Sequence, residues 1–280
     1  MEIINHFKTV VLLGGLSVLL VWIGNIFGGA GGLTIAITIV LLMNIGSYFF
    51  SDKLVLKMYK AQEVKKDHHL YKSVDKLRKK ANLAMPKVYI IPSTNPNAFA
   101  TGRDPKHSAV AATQGILQIL EQNELEGVLA HELTHIKNRD TLIATIAASI
   151  AGIISYVAMM ARWAAIFGGM GSDRDNNGLE LLALMILTPL LATIIQLAIS
   201  RSREFLADEG GAKISGNPKA LASALRKIHH GVKQRPLRAS SNNQVTASLF
   251  IENPFSAQSF SNLFSTHPPM QKRVRKLEDM

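Results

Sequence analysis

Four stretches of this 280-residue chain contain no Asp, Glu, Lys, Arg or His, and each is long enough to cross a bilayer as a helix. They run over 9–27, 33–50, 142–161 and 181–199. A hydrocarbon core of about 30 Å takes about 20 residues of helix, so these lengths constrain the fold before any other feature is read. The first two stretches are separated only by Gly28-Gly29-Ala30-Gly31-Gly32, which predicts a tight helical hairpin. The other two flank a segment with the polar run Gly171 to Gly178. A buried hairpin in a large soluble core is the rival for this second pair, and lengths of 20 and 19 residues favour the membrane. Ala144, Ala148 and Gly152 recur at four-residue spacing, a small-residue stripe suited to close helix packing in lipid. Pro189 is expected to kink the last span.

The net charge of +11 could point to a nucleic-acid partner, but its distribution gives another account. Residues 51–141 carry 15 Lys+Arg against 10 Asp+Glu, and residues 200–280 carry 13 against 6. The 162–180 connection carries 2 against 3. Lysine and arginine accumulate on the cytoplasmic side of membrane proteins, so both large polar segments and both termini belong in the cytoplasm. No nucleic acid is needed. Only His6 and Lys8 precede the first stretch as basic residues, and a second apolar stretch follows at once, which favours a retained span over a cleaved leader. There is no cysteine, which excludes disulfides, thiolate metal sites and cysteine nucleophiles.

The polar segments read as α+β. Residues 52–81 are lysine-rich with apolar residues at helical spacing, and His68 and His69 fit a solvated face there. Lys87 to Ile91, the run around Asn97 to Gly102, and Ser108 to Thr113 predict three short strands in a small, mainly antiparallel sheet. Asn123, with Glu126 three residues on, is a capping-box start for the next helix. Asn217 and Pro218 open another helix, which Gly231 is expected to end. Residues 232–266 are rich in Ser, Asn and Gln and read as a loop, and a short basic helix closes the chain. The expected organisation is an α+β integral membrane protein. A hairpin at 1–50 and a second at 142–199 alternate with two halves of one catalytic domain, 51–141 and 200–280.

His131-Glu132-Leu133-Thr134-His135 carries the chemistry. Residues four apart share a helix face, so both imidazoles can reach one tetrahedral zinc ion. Glu132 lies about 100° around the helix, where its carboxylate can take a proton from an attacking water and pass it to a leaving amine. A third ligand must come from elsewhere, because position 138 is Asn and position 141 is Thr. Glu204 and Asp208 share a face just after the last span, Glu204 to bind metal and Asp208 to hold a ligating ring through its free N–H. On spacing alone, exposed ion pairs with Arg201 and Arg203 explain them equally well. Topology shifts the balance. If both helices continue unbroken, His135 lies about 10 Å before one span and Glu204 about 7.5 Å beyond the other, at similar depth. Neither Asp140 nor His229 meets that condition as naturally.

These features together resemble the HtpX-type membrane metalloproteases, zincin-like enzymes related to the CAAX prenyl proteases. The resemblance rests on the N-terminal hairpin, Asn97 to Gly102, His131 to His135, the later spans, Glu204-Phe-Leu-Ala-Asp208 and Thr266-His267-Pro268. It implies one zinc per subunit with Glu204 as third ligand. It also implies a protease of the bacterial inner membrane with a cytoplasmic active site, which degrades damaged or misfolded membrane proteins and cleaves itself. Functional overlap with an ATP-dependent membrane protease comes with it. Asn97, Ala98 and Phe99 would belong to an edge strand that pairs with extended substrate. His267 would either stabilise the oxyanion or make a structural hydrogen bond ahead of Pro268. A transporter would place ionisable groups at mid-membrane, where this chain has none. A catalytically inactive, metal-bound scaffold is the remaining alternative, and the presence of Glu132 argues against it.

Overall fold

The structure is a computed structural model that describes residues 2–23, 31, 34, 37, 38, 42, 53, 55–167, 178–234, 251 and 267–280. The chain divides into two units. One comprises Met1–Asn5, Tyr48–Leu142 and Ser200–Met280, and the other His6–Ser47 and Ile143–Ile199.

The apolar unit draws on helix α1 (Glu2–Ile23) and on parts of the two long helices Asp140–Phe167 and Gly178–Ser215. Its core gathers Leu16, Ala147, Ala151, Ile154, Ala192 and Ile199. The packing stripe differs from the expected one. Ala144, Ala148 and Gly152 are exposed, and Ala147, Ala151 and Ala158 are buried instead. Two alanine stripes of the same period run along this helix, and spacing alone cannot tell which one faces a neighbour. Among the described residues one window, Asp140–Met159, is long and apolar enough to cross a membrane, and Val10–Leu20 is a shorter apolar helix. The stretch 33–50 and the 171–177 run lie largely or wholly outside the described residues.

The polar unit is built on a four-stranded sheet of β1 (Gln62–Glu63), β2 (Lys87–Ile91), β3 (Ala98–Asp104) and β4 (His107–Thr113), in the order β1-β2-β4-β3. The sheet is mixed: β1–β2 and β3–β4 pair antiparallel, as expected, but β2 and β4 run parallel, Lys87 opposite Ala109 through Ile91 opposite Thr113. The β3–β4 hairpin explains this, since the all-apolar run Ala109 to Ala112 takes the central place and pushes β3 to the end. β1 also interrupts the helix expected over 52–81. A left-handed residue, Lys60 at φ 51°, turns the chain into it, and helix α2 (His69–Ala81) starts afresh. His68 caps α2, its Nδ1 accepting from Leu70 N at 3.1 Å. Leu70, Val74, Leu77 and Ala81 bury one face of that helix.

A short helix, α3 (Gln114–Ile119), leads to α4 (Gln122–Lys137). The α4 cap lies two residues earlier than the Asn123 reading. Glu121 is the N-cap, and Glu124 reaches back to accept its N–H at 2.9 Å. Glu126 is spent elsewhere, paired with Lys76 of α2 at 2.8 Å. The chain continues through α5 (Asp140–Phe167), α6 (Gly178–Ser215, with Pro189 inside it), α7 (Pro218–Gln234) and α8 (Met270–Glu278). Asn217 caps α7 as expected, Oδ1 accepting from Ala220 N at 3.0 Å. Gly231 does not end that helix. It lies inside it, where a Cβ would stand 2.9 Å from Pro96 Cγ, so close approach to the loop before β3 explains the glycine. Leu125, Val128, Leu129 and Leu133 of α4 form the centre of the core with α2, α7 and α8.

Candidate metal centre

Helix α4 presents His131, Glu132 and His135 from its last two turns, and α6 presents Glu204 and Asp208 one turn apart. Two glycines let these helices meet. A Cβ at Gly211 would lie 2.8 Å from His131 N and 2.9 Å from its Cα, and one at Gly210 would lie 2.3 Å from Thr134 Cγ2. Backbone atoms cannot swing aside as a side-chain tip can. Gly211→Ala gains up to about 1 kcal/mol of helix propensity, but forcing apart a packed interface costs about 1–3 kcal/mol. The expected result is a lower melting temperature together with weaker metal binding. An unchanged or higher melting temperature would show that the helices are not in this contact.

The ligand atoms converge. His131 Nε2 and His135 Nε2 are 3.1 Å apart, with the rings nearly perpendicular at 89°. Glu204 Oε1 lies 3.5 Å from His135 Nε2, and Oε2 lies 3.7 Å from His131 Nε2. One donor atom from each of the three residues lies within 4.8 Å of the others. The outer nitrogens face carboxylates: His135 Nδ1 is 2.6 Å from Asp140 Oδ2, and His131 Nδ1 is 3.0 Å from Asp208 Oδ1. Ring protons therefore belong on Nδ1, which turns both Nε2 lone pairs and a carboxylate toward one point. Such a set of acceptors can hold a metal ion. The charge balance agrees. Burial disfavours a charged His135 ring, yet the hydrogen bond to Asp140 and the charges of Glu204, Asp140 and Glu132 raise its pKa to about 9. The centre attracts positive charge.

Burial works against the Glu204 carboxylate, but the His267, Arg273 and His135 charges hold it well below the usual range. Burial opposes Asp208 likewise, and Arg273 and His131 keep it lowered. Glu132 goes the other way. Burial pushes its carboxyl up, and the nearby histidines offset this only in part. Its Oε2 accepts from Ala100 N at 2.7 Å, which ties the carboxylate to β3.

The structure brings His131, Glu132, His135, Glu204, Asp208 and His267 together. His267 Nδ1 lies 3.2 Å from Glu204 Oε2. Asn97, Ala98 and Phe99 are buried; the Asn97 side chain accepts from Ile251 N at 3.0 Å, and its backbone N–H and C=O are both bonded to Thr113. A groove beside that strand is lined by Thr101, Gly102, Arg103, His135, Arg139 and Thr141.

Three residues of the centre escaped the sequence reading. Arg273 is wholly buried and forks onto Asp208, Nε to Oδ2 at 2.8 Å and Nη2 to Oδ1 at 2.7 Å, with Nη1 3.0 Å from Glu204 Oε2. A signal existed. Met270, Arg273, Val274 and Leu277 follow the spacing of one helix face, which places an arginine among apolar residues. By spacing, Asp140 enters only as a rival third ligand and Arg203 only as an exposed ion-pair partner; both are buried, Asp140 against His135 and Arg203 against Asp140.

Residues 64–280 match the model of peptidase family M48. The chain belongs to that family. M48 members are metalloproteases, so this protein is a hydrolase of peptide bonds that works with a metal. A protein described as Protease HtpX homolog from Syntrophotalea carbinolica is 52% identical over 278 residues, 99% of each chain. One of the same description from Pyrococcus furiosus is 54% identical over 273 residues, 96% of this chain and 94% of that one. The crystal structure of S. mikatae Ste24p shares the fold, with a TM-score of 0.61 at 18% identity, over 99% of this chain and 66% of that one.

Proposed function

We propose that this M48 peptidase is a zinc-dependent endopeptidase of the cytoplasmic membrane, with its active site on the cytoplasmic side. Its substrates are misfolded or damaged membrane proteins, and it cleaves itself. The observation that carries the reading is the convergence of His131, His135 and Glu204 beside a buried Glu132. Two imidazoles and one carboxylate are a donor set suited to a catalytic zinc with a position left open. Zinc held there supplies Lewis acidity toward the scissile carbonyl and the attacking water.

The chain's own residues do the rest. Asp140 and Asp208 hold the two rings by Nδ1. Glu132 takes the proton of the attacking water and returns it to the leaving amine. Burial favours its neutral form and so strengthens it as a base, and the Ala100 N–H fixes its orientation. The β3 end strand supports pairing with an extended substrate, which recognises backbone and demands little of side chains. His267 stands close enough to Glu204 to steady it.

The membrane reading rests on the four apolar stretches, the charge distribution and the apolar surface of the second unit. Phe7, Val18, Trp22, Ile186, Leu187 and Ile194 are exposed there, where a soluble protein would keep polar groups. The absence of cysteine makes the topology simple to test. In intact cells, a membrane-impermeant maleimide should label Ser172→Cys, and should label Lys219→Cys only after permeabilisation. The reverse pattern would overturn the orientation.

A further inference from the structure

Asp140 and Arg203 have no step to perform in peptide hydrolysis, yet both are buried, Asp140 against His135 and Arg203 against Asp140. Asp140 divides its oxygens. Oδ2 accepts from His135 Nδ1 at 2.6 Å, and Oδ1 accepts from Arg203 Nε at 2.6 Å and from Arg203 Nη2. The same Nη2 donates to Asn138 O at 3.3 Å. Asp140 reaches this place because the chain breaks between α4 and α5. Lys137 is the last helical residue, Asn138 is the C-cap, and Arg139 is left-handed, at φ 54°. In an unbroken helix, position 140 would lie about 140° around from position 135 and would face away from it.

Arg203 is also the neighbour of Glu204 on α6. We propose that Asp140 and Arg203 are positioning residues that lock His135 and the Glu204 helix into one metal-binding geometry. The guanidinium holds the carboxylate and the carboxylate holds the ring. The turn of α6 that carries the guanidinium carries the third ligand as well. Without Arg203, Asp140 Oδ1 is a buried acceptor short of its donors, and turning to recover one would pull Oδ2 off the ring. His131 has a related arrangement, with Asp208 Oδ1 3.0 Å from its Nδ1 and the Arg273 fork on Asp208; Arg273 Nη2 also lies 3.4 Å from His131 Nε2. Each imidazole is thus held by an Arg–Asp pair, and each pair includes a residue of α6.

The proposal rests on the zinc reading, so its test measures metal affinity directly. The full chain in detergent is titrated with zinc against a chromophoric chelator, for wild type, Asp140→Asn, Arg203→Met, Arg203→Lys, the double variant Asp140→Asn/Arg203→Met, and Arg226→Met. The last removes only the exposed pair with Glu278. In Asp140→Asn the amide NH₂ would meet the His135 Nδ1–H and favour the wrong tautomer. Asp140→Asn and Arg203→Met are each expected to weaken zinc binding by about 10–100-fold. Arg203→Lys should recover part of the loss, because an ammonium can reach Oδ1 but cannot also fork to Asn138. The double variant should bind no more weakly than the weaker single one, and kcat should fall with KM unchanged. If Arg203→Met does not fold, the isosteric Asp140→Asn carries the test. Wild-type affinity in folded Asp140→Asn, additive losses in the double variant, or an equal loss in Arg226→Met would overturn the proposal. A wild type that binds no zinc would sink the metal reading and this proposal with it.

Discussion

Glu132→Gln is expected to lower peptide-bond cleavage by about 10²–10⁴-fold, the range that a positioned general base contributes. The bound metal per chain should not change, because Glu132 is not among the three converging ligands. Glutamine has the same shape, and its carbonyl can accept the Ala100 N–H that Glu132 Oε2 accepts at 2.7 Å. What it cannot do is take a proton. Burial already opposes charge on this carboxyl, so the neutral amide should not lower the melting temperature. Initial rates on an unfolded protein, read beside metal content, separate loss of the base from loss of the site. Cleavage at the wild-type rate would remove Glu132 from the mechanism.

Glu204→Ala should empty the centre. It removes one ligand of three, so zinc affinity should fall further than the about 10–100-fold that an outer hydrogen-bond partner is worth. A second cost falls on the fold. Glu204 Oε2 lies against the wholly buried Arg273 and against His267, and breaking a buried charge pair costs about 3–5 kcal/mol. The loss here should lie below that range, because Asp208 keeps two hydrogen bonds to the same guanidinium. Zinc titration and a thermal melt of the metal-free protein read the two effects separately. Glu204→Gln, which keeps the volume and loses the charge, should fall between wild type and Glu204→Ala in both. Wild-type zinc affinity in Glu204→Ala would exclude Glu204 as a ligand.

How much of this could be read from the chain depended on whether a feature was local. His131 and His135 declare themselves because four residues make one helical turn, and Glu132 follows from its place between them. Glu204 and Asp208 could be paired with each other by spacing but not with the histidines. That link needed topology and family likeness, and the structure supplies the distances. The sheet order was hidden because β2 and β4 are neighbours across an intervening strand, and short apolar runs carry no mark of parallel pairing. The Asp140 contact was hidden by the assumption of a continuous helix. One left-handed residue, Arg139, reverses it, and arginine gives no warning of that conformation as glycine would. Gly210 and Gly211 carry no meaning in the sequence by themselves, since close helix approach is known only once the partner is.

The central claim is that His131, His135 and Glu204 hold a zinc ion on which cleavage depends. The most direct measurement is proteolysis by the detergent-purified wild-type chain as prepared, after chelation, and after zinc is restored. Cleavage that disappears on chelation and returns as one zinc per chain is taken up is the predicted result. Full cleavage by protein verified as free of metal would contradict it.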